Sequence, residues 1–195
     1  MRDGPPAHEG LVSKRPRHKE SFEETLKYLT QEGMKIKPID IEYPEYRGTI
    51  EEIVTEGARE CSNILQSEVI IFRIGLLIDS LNGFPGFATG YVLKSIGIEG
   101  ILKLMEDTKN RGAEWIFCIG YSRPGIEPKI FKGVCRGDIS LKPKGNKGYA
   151  FDPIFILGGY NKTFAEEPTL KDKVGARIIA IKKFVRWYKS RKEVI

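Results

Sequence analysis

Hydrophobic positions recur along the chain in two different spacings, and together these predict a mixture of helices and strands. Apolar residues three and four positions apart predict helices that begin at Ser21 and at Thr49, each followed three residues later by a glutamate able to complete a capping box. Residues 68–78 are apolar, short and rich in β-branched side chains, which predicts a buried strand interrupted at Gly75. This alternation is typical of an α/β domain.

The rest of the chain continues the alternation. Glycine and proline crowd the N-terminus, so we expect an irregular segment over residues 1–18 and a single α/β domain over residues 19–195. Within that domain the pattern further predicts strands over 34–41, 115–121, 129–139 and 152–157, a helix over 91–106 bent near Gly97, and a closing helix over 171–192.

Composition and charge restrict the class of protein. Hydrophobic residues make up 41% and charged residues 30% of the 195 positions, as in ordinary globular proteins. No apolar run is long enough to predict a membrane span or a signal peptide, so the expected location is the cytoplasm and no membrane partner is expected. The net charge of +6 is compatible with an anionic partner. Much of the excess positive charge lies at the two ends of the chain, however, and charge in such positions more often forms a solvated surface than a binding site. We therefore do not expect a nucleic acid as the partner.

Two segments carry candidate chemistry. Glu45 lies in a proline-stiffened loop, where its carboxylate could ligate magnesium or could simply belong to a surface turn. In residues 145–153, Tyr149 and Phe151 would point the same way if the segment is extended, beside Asp152, which could accept hydrogen bonds from a base edge. The alternative for both aromatic residues is a place in the core.

Five blocks then occur in an order that resembles the Ham1-type inosine-triphosphate pyrophosphatases, over about residues 19–180. The blocks are Gly75-Leu76 with the loop LNGFPG at 81–86, the helix at 91–105, GYAFDPIF at 148–155, TFAE at 163–166, and the pair Lys171 and Arg177. The resemblance implies a mixed central sheet flanked by helices, in two lobes with a nucleotide cleft. It also implies magnesium-dependent hydrolysis of non-standard purine nucleoside triphosphates (ITP, XTP, dITP) to monophosphate and pyrophosphate, by a homodimer.

The resemblance also implies roles for seven residues, carried over position by position. Lys19 is expected to contact the triphosphate, and Glu45 is expected to ligate the metal and act in catalysis. Tyr149 or Phe151 is expected to stack on the purine, with Asp152 near the edge of the base. Lys171 and Arg177 are expected to contact the base or the phosphates.

Three stretches depart from the family pattern. Phe72, Arg73 and Ile74 replace an acidic pair and a serine, Gly175-Ala176 replaces a serine and a histidine, and Pro16 stands at an N-terminal asparagine position. Three hypotheses follow: a working pyrophosphatase with substitute ligands such as Glu68 or Asp79, a catalytically impaired homologue that binds nucleotide without efficient hydrolysis, or a retained fold without the site. The family activity is the most specific of the three.

Overall fold

The computed structural model describes residues 10–14, 19–41 and 48–191, with the backbone alone for 10–14. The chain divides into two compact units: a first unit, Met1–Ile71 with Gly120–Ile130, and a second unit, Phe72–Ile119 with Phe131–Ile195. The mixed α/β class predicted from the sequence is confirmed, whereas the domain boundaries stay a prediction. No helix of the described residues is long and apolar enough to cross a membrane.

The first described element of the first unit is a strand that the hydrophobic pattern does not reveal. It contains β1 (Gly10–Lys14), α1 (Lys19–Gln31), β2 (Ile36–Asp40), α2 (Ile50–Leu65) and the start of β3 (Val69–Ile78). Strand β1 pairs in parallel with β2 on one side and with β3 on the other, where Leu11 lies opposite Val69. Residues 10–14 are therefore regular, in contrast to the irregular segment expected over 1–18, because two neighbouring strands satisfy their backbone groups.

The two predicted capping boxes differ in outcome. At α2 the prediction is confirmed, because the Glu52 amide donates to Thr49 Oγ1 at 3.2 Å and the Thr49 amide donates to Glu52 Oε2 at 2.8 Å. This backbone hydrogen bond lowers the pKa of Glu52. At α1 the prediction is wrong, because the helix begins at Lys19 and Ser21 lies inside it, with its carbonyl oxygen bonded to the Thr25 hydroxyl.

The second unit holds the remaining elements. They are the end of β3, a 3-10 turn (Asp79–Leu81), β4 (Pro85–Gly86), α3 (Thr89–Ser95), α4 (Gly97–Leu104), β5 (Gly112–Arg123), β6 (Ile126–Ile139), β7 (Phe155–Leu157), α5 (Pro168–Val174) and α6 (Ala176–Ser190). Strands β5 and β6 also contribute residues to the first unit. The sheet order is β2-β1-β3-β5-β6-β7, with β4 antiparallel to β3 and β7 antiparallel to β6.

Glycine explains two places where the elements break or continue. The bend predicted near Gly97 is confirmed as a break between α3 and α4, because Gly97 adopts a φ of 66°. Strand β3, in contrast, runs through Gly75 without the predicted interruption. A Cβ at Gly75 would lie 2.6 Å from the Phe87 ring, so this glycine permits close packing and does not end the strand.

The C-terminal half contains two corrections. Residues 152–154 form turns, and only Phe155–Leu157 is extended, which shortens the strand predicted over 152–157. The single closing helix predicted over 171–192 is two helices, α5 and α6, because Gly175 between them has extended dihedral angles. Periodicity alone cannot detect one extended residue within an otherwise helical pattern.

Aromatic side chains form much of the core of the second unit. Phe117, Phe155 and Phe184 are fully buried. Phe184 of α6 packs edge-on against Phe131 of β6, with ring centroids 5.4 Å apart. Helix α6 approaches β6 so closely that a Cβ at Gly133 would collide with the Ala176 carbonyl oxygen. Helix α6, which carries Arg177, is thereby fixed against the sheet.

Candidate nucleotide site

A tight turn, and not an extended segment, places Tyr149 and Asp152 together. Gly148 and Ala150 both have positive φ, at 77° and 56°, so the chain reverses between them. The Tyr149 amide donates to Asp152 Oδ2 at 2.9 Å, and the Asp152 amide donates to the Tyr149 carbonyl oxygen at 3.2 Å. A Cβ at Gly148 would collide with the Asp152 carboxylate, so this glycine serves the turn itself.

The Asp152 carboxylate is buried and holds a lysine beside an aromatic ring. Its side chain is 3% exposed and that of Lys171 is 17% exposed, with Lys171 Nζ 2.8 Å from Asp152 Oδ2. The same ammonium lies 4.0 Å from the centroid of the Tyr149 ring. The lysine thus contacts both an anion and a ring face, an arrangement that orders its long side chain.

Arg177 supports the same tyrosine from the buried side. It lies in the first turn of α6, is 4% exposed, and donates from Nη2 to the Tyr149 hydroxyl at 2.9 Å. Its guanidinium is 5.1 Å from the centroid of the Phe117 ring. Burial lowers the pKa of Arg177 to about 9, which leaves the group charged at neutral pH.

The structure distinguishes between the two aromatic candidates for stacking. Tyr149 is half-buried, whereas Phe151 is 0% exposed and packs against Trp115 with ring centroids 6.5 Å apart. A ring without exposed surface cannot stack on a ligand, so the assignment of Phe151 to substrate binding is corrected to a core role. The positive φ of Ala150 is the reason, because it turns the two rings to different surroundings.

The basic loop over residues 142–148 is anchored to this turn. The Lys144 amide donates to the Pro153 carbonyl oxygen at 2.9 Å, and its own carbonyl oxygen accepts from Thr163 Oγ1 at 2.9 Å. Thr163 and Glu166 also exchange hydrogen bonds, which fixes the TFAE block beneath the loop. The exposed lysine side chains of the loop therefore project from a fixed backbone.

The positions that depart from the family pattern form aromatic and basic contacts. The Phe72 ring stacks on Phe117 with centroids 5.4 Å apart and planes 23° apart. The sequence did not predict that Phe117 contacts these residues, because a phenylalanine in a buried strand indicates only a core position. Arg73 Nη1 donates to the Phe72 carbonyl oxygen at 3.2 Å. Gly175 and Ala176 form the junction between α5 and α6.

The described residues do not fit a magnesium ion. Among them, no group of three or more histidine, cysteine, aspartate or glutamate side chains comes together. Phe72, Arg73 and Ile74 offer no side-chain oxygen, and Asp79 forms an ion pair with Arg136. Magnesium prefers oxygen ligands, and the carboxylates of Asp79 and Asp152 are each paired with a cation of the chain.

The two remaining predicted site residues are Glu45 and Lys19. Glu45 falls outside the described residues. Lys19 belongs to the first unit, where it starts α1, and its ammonium lies 3.9 Å from Glu23 across one helical turn, with 75% of its side chain exposed. Of the predicted set, the structure therefore brings together Tyr149, Asp152 and Lys171, with Arg177 in contact with the tyrosine.

Comparison with known proteins identifies the family. The sequence model of the Ham1 family matches residues 12–187. A dITP/XTP pyrophosphatase of Methanopyrus kandleri is 43% identical over 171 residues, covering 87% of this chain and 91% of that protein. A dITP/XTP pyrophosphatase of Methanothermobacter marburgensis is 38% identical over 179 residues, covering 91% and 96%.

Solved structures agree on the fold. The Ham1 protein of Staphylococcus aureus matches with a TM-score of 0.82 at 26% identity, covering 94% of this chain and 100% of that one. A HAM1 protein of Coxiella burnetii matches with a TM-score of 0.80 at 23% identity, which supports the fold alone. The mixed α/β protein described here belongs to the Ham1 family, and the sequence-based recognition is confirmed.

Proposed function

We propose that this chain is a hydrolase that cleaves non-standard purine nucleoside triphosphates to the monophosphate and pyrophosphate. The observation that carries the proposal is the Tyr149 ring with the Lys171 ammonium 4.0 Å from its centroid, held there by the buried Asp152. An aromatic face beside an ordered hydrogen-bond donor is suited to a planar base. The relatives named as dITP/XTP pyrophosphatases support this substrate class.

The donor at the base edge also supports a preference among purines. Inosine and xanthosine carry a carbonyl oxygen on the six-membered ring where adenosine carries an amino group. An ammonium can donate to that oxygen but cannot accept from an amino group. Lys171 therefore favours oxo-purines, while Asp152 keeps the lysine in place and Arg177 holds the Tyr149 hydroxyl.

Two further residues are proposed for the phosphates and the hydrolytic step. Lys19 is proposed to pair with the triphosphate, and Glu45 is proposed as the catalytic carboxylate and as a magnesium ligand. Magnesium is often held by one or two carboxylates together with substrate phosphates.

A second candidate function is nucleotide binding without efficient hydrolysis. The specific observation in its favour is that Phe72 and Arg73 occupy positions where the resemblance implies carboxylates. A phenyl ring and a guanidinium cannot act as a general base toward water at neutral pH. Both candidate functions use the Tyr149 site to bind the nucleotide, but only the first includes efficient hydrolysis.

Pyrophosphate release from inosine triphosphate tests the first function. The parent chain should release pyrophosphate with magnesium, and much less with a chelator or with ATP as substrate. Glu45→Ala should lower the rate by orders of magnitude, because a metal ligand is lost. Glu106→Ala, at an exposed carboxylate, is the matched control and should leave the rate unchanged. Release no higher than that of Glu45→Ala would favour the second candidate.

The resemblance further supports a homodimer, and the cytoplasm remains the proposed location. Sedimentation equilibrium would give twice the 22.1 kDa chain mass for a dimer. A measured mass of one chain at micromolar concentration would contradict the proposed dimer.

A further inference from the structure

Helix α6 presents an exposed surface that consists almost entirely of cations. Its exposed residues are Lys182, Lys183, Arg186, Lys189 and Ser190. Because successive helical residues are about 100° apart, these five positions fall within about 120° around the helix axis and form one stripe. The four basic residues of this stripe are called the cationic face.

No described carboxylate balances the cationic face. Helix α6 contains no aspartate or glutamate, and no described carboxylate forms an ion pair with any of its four exposed basic side chains. Lys182 and Arg186 are four positions apart, and Arg186 and Lys189 are three apart, which are spacings at which like charges repel. Position in the sequence favoured a solvated surface for this charge, but cations gathered at repulsive spacings on one face favour a surface that binds an anion.

The opposite side of α6 is occupied by the core. Ile181 and Phe184 are buried, and the Phe184 ring packs edge-on against Phe131 of β6. Lys183 also donates from Nζ to the Lys132 carbonyl oxygen at 2.8 Å, which ties the helix to the same strand. A helix that lies on a membrane needs an apolar face for the lipids. Since the apolar face of α6 is already packed, the cationic face can contact a partner only through its charged groups.

Duplex DNA suits such a face better than other nucleic acids do. It carries one negative charge per about 1.7 Å of its axis, so that a row of cations about 10 Å long can contact several phosphates. Single strands are held largely by stacking on open aromatic rings, but the Trp187 ring packs against Phe131 and lies beneath the Arg191 guanidinium. Duplex RNA is recognised partly through its 2′-hydroxyl groups, whereas the neutral polar group of the stripe, the Ser190 hydroxyl, donates to the Trp187 carbonyl oxygen.

We propose that the cationic face of α6 is a docking surface for the phosphate backbone of duplex DNA, and that it binds DNA of any base sequence. Phosphate contacts position a protein on DNA but carry no sequence information. This surface is separate from the candidate nucleotide site, because Lys182, Arg186 and Lys189 take part in none of the contacts described there.

Fluorescence anisotropy of a labelled DNA duplex of about 20 base pairs, titrated with the full chain, tests this docking surface. The dissociation constant should be about 1–100 µM at about 0.15 M salt, the range of sequence-independent binding. Two duplexes of unrelated sequence should agree within about twofold. As sodium chloride rises, the logarithm of the affinity should fall with a slope of about −3.6 against the logarithm of the salt concentration, from four phosphate contacts.

The variant that combines Lys182→Gln, Arg186→Gln and Lys189→Gln removes three of the four cations. It should bind the duplex at least about tenfold more weakly, and the salt slope should shrink to about −1, because three phosphate contacts are lost. Circular dichroism checks that the variant is folded. Pyrophosphate release tests the proposed function separately and should equal that of the parent.

The matched control combines Lys94→Gln, Lys103→Gln and Lys109→Gln, which remove the same charge from exposed lysines of the second unit. Its affinity for the duplex should stay within about twofold of the parent. Equal weakening in both combined variants would overturn the proposal, since net charge alone would then explain the binding. Tighter binding to a single strand, to an RNA duplex of the same length or to phosphatidylserine vesicles would also overturn it, as would the absence of duplex binding at about 0.05 M salt.

Discussion

Asp152 is the residue on which the candidate site depends most, because its carboxylate receives both the Tyr149 amide and the Lys171 ammonium while nearly excluded from water. Asp152→Ala should lower the free energy of unfolding by about 3 kcal/mol, since it leaves a mostly buried ammonium without its anion. Urea denaturation measures the change. Glu167→Ala, which breaks an exposed pair with Lys162, should cause no measurable change. Equal losses in the two variants would contradict the structural role of Asp152.

Cys135 gives the molecule a specific response to alkaline pH. Burial raises the pKa of its thiol from 9.0 to about 11. Below pH 9 the thiol is protonated in both folded and unfolded chains, but between pH 9 and 11 the unfolded chain loses the proton first, so stability falls as pH rises. This loss should reach about 2–3 kcal/mol, from two pKa units.

Urea denaturation of the parent and of Cys135→Ala between pH 8 and 11 isolates that contribution, because other alkaline groups titrate in both proteins. The free energy of unfolding should fall more steeply in the parent. Parallel pH profiles would mean that the thiol ionises alike in the folded and unfolded chains.

At the scale of elements, the sequence predicts best where a local signal coincides with burial. The capping box at Thr49 and the buried strand over residues 68–78 are examples, since each is encoded within a few residues. Strand β1 escapes prediction because its regularity comes from β2 and β3, which are distant in sequence. The break at Gly175 escapes for a related reason: one extended residue leaves the helical spacing on either side almost unchanged.

The contact between β6 and α6 connects packing to the candidate site. Gly133→Ala would force a methyl group against the Ala176 carbonyl oxygen and the Ala180 amide, neither of which can rotate away. We expect a loss of stability of about 2–3 kcal/mol and weaker inosine triphosphate binding, because Arg177 follows Ala176 directly. Urea denaturation and calorimetry measure the two effects. Val134→Ala, at the exposed neighbour, should change neither; an unaffected Gly133→Ala would show that α6 can shift without cost.

For the whole molecule, the order of motifs predicted the family, and it named candidate residues that the predicted elements alone did not. Tyr149 and Asp152 belong to one motif and Lys171 and Arg177 to another, and the structure joins the two motifs through short contacts, while their roles toward a nucleotide stay a prediction. The core role of Phe151 could not be predicted, because it depends on the positive φ of Ala150, which alanine does not signal. The ion pair of Asp79 with Arg136 links distant positions that no local pattern relates.

The net charge of +6 should act on the phosphates and not on the base. Attraction between a cationic chain and a polyanion is screened by salt, whereas stacking on Tyr149 and a buried ion pair are screened little. Calorimetry should therefore show the affinity for α,β-imido inosine triphosphate, which resists cleavage between the α and β phosphates, falling roughly tenfold as sodium chloride rises from about 0.05 to 0.5 M. Inosine, which has the same base without phosphates, should change by less than about twofold over the same range. Equal salt dependence for both ligands would mean that the cations of the chain do not contact the phosphates, and that the base contacts alone hold the nucleotide.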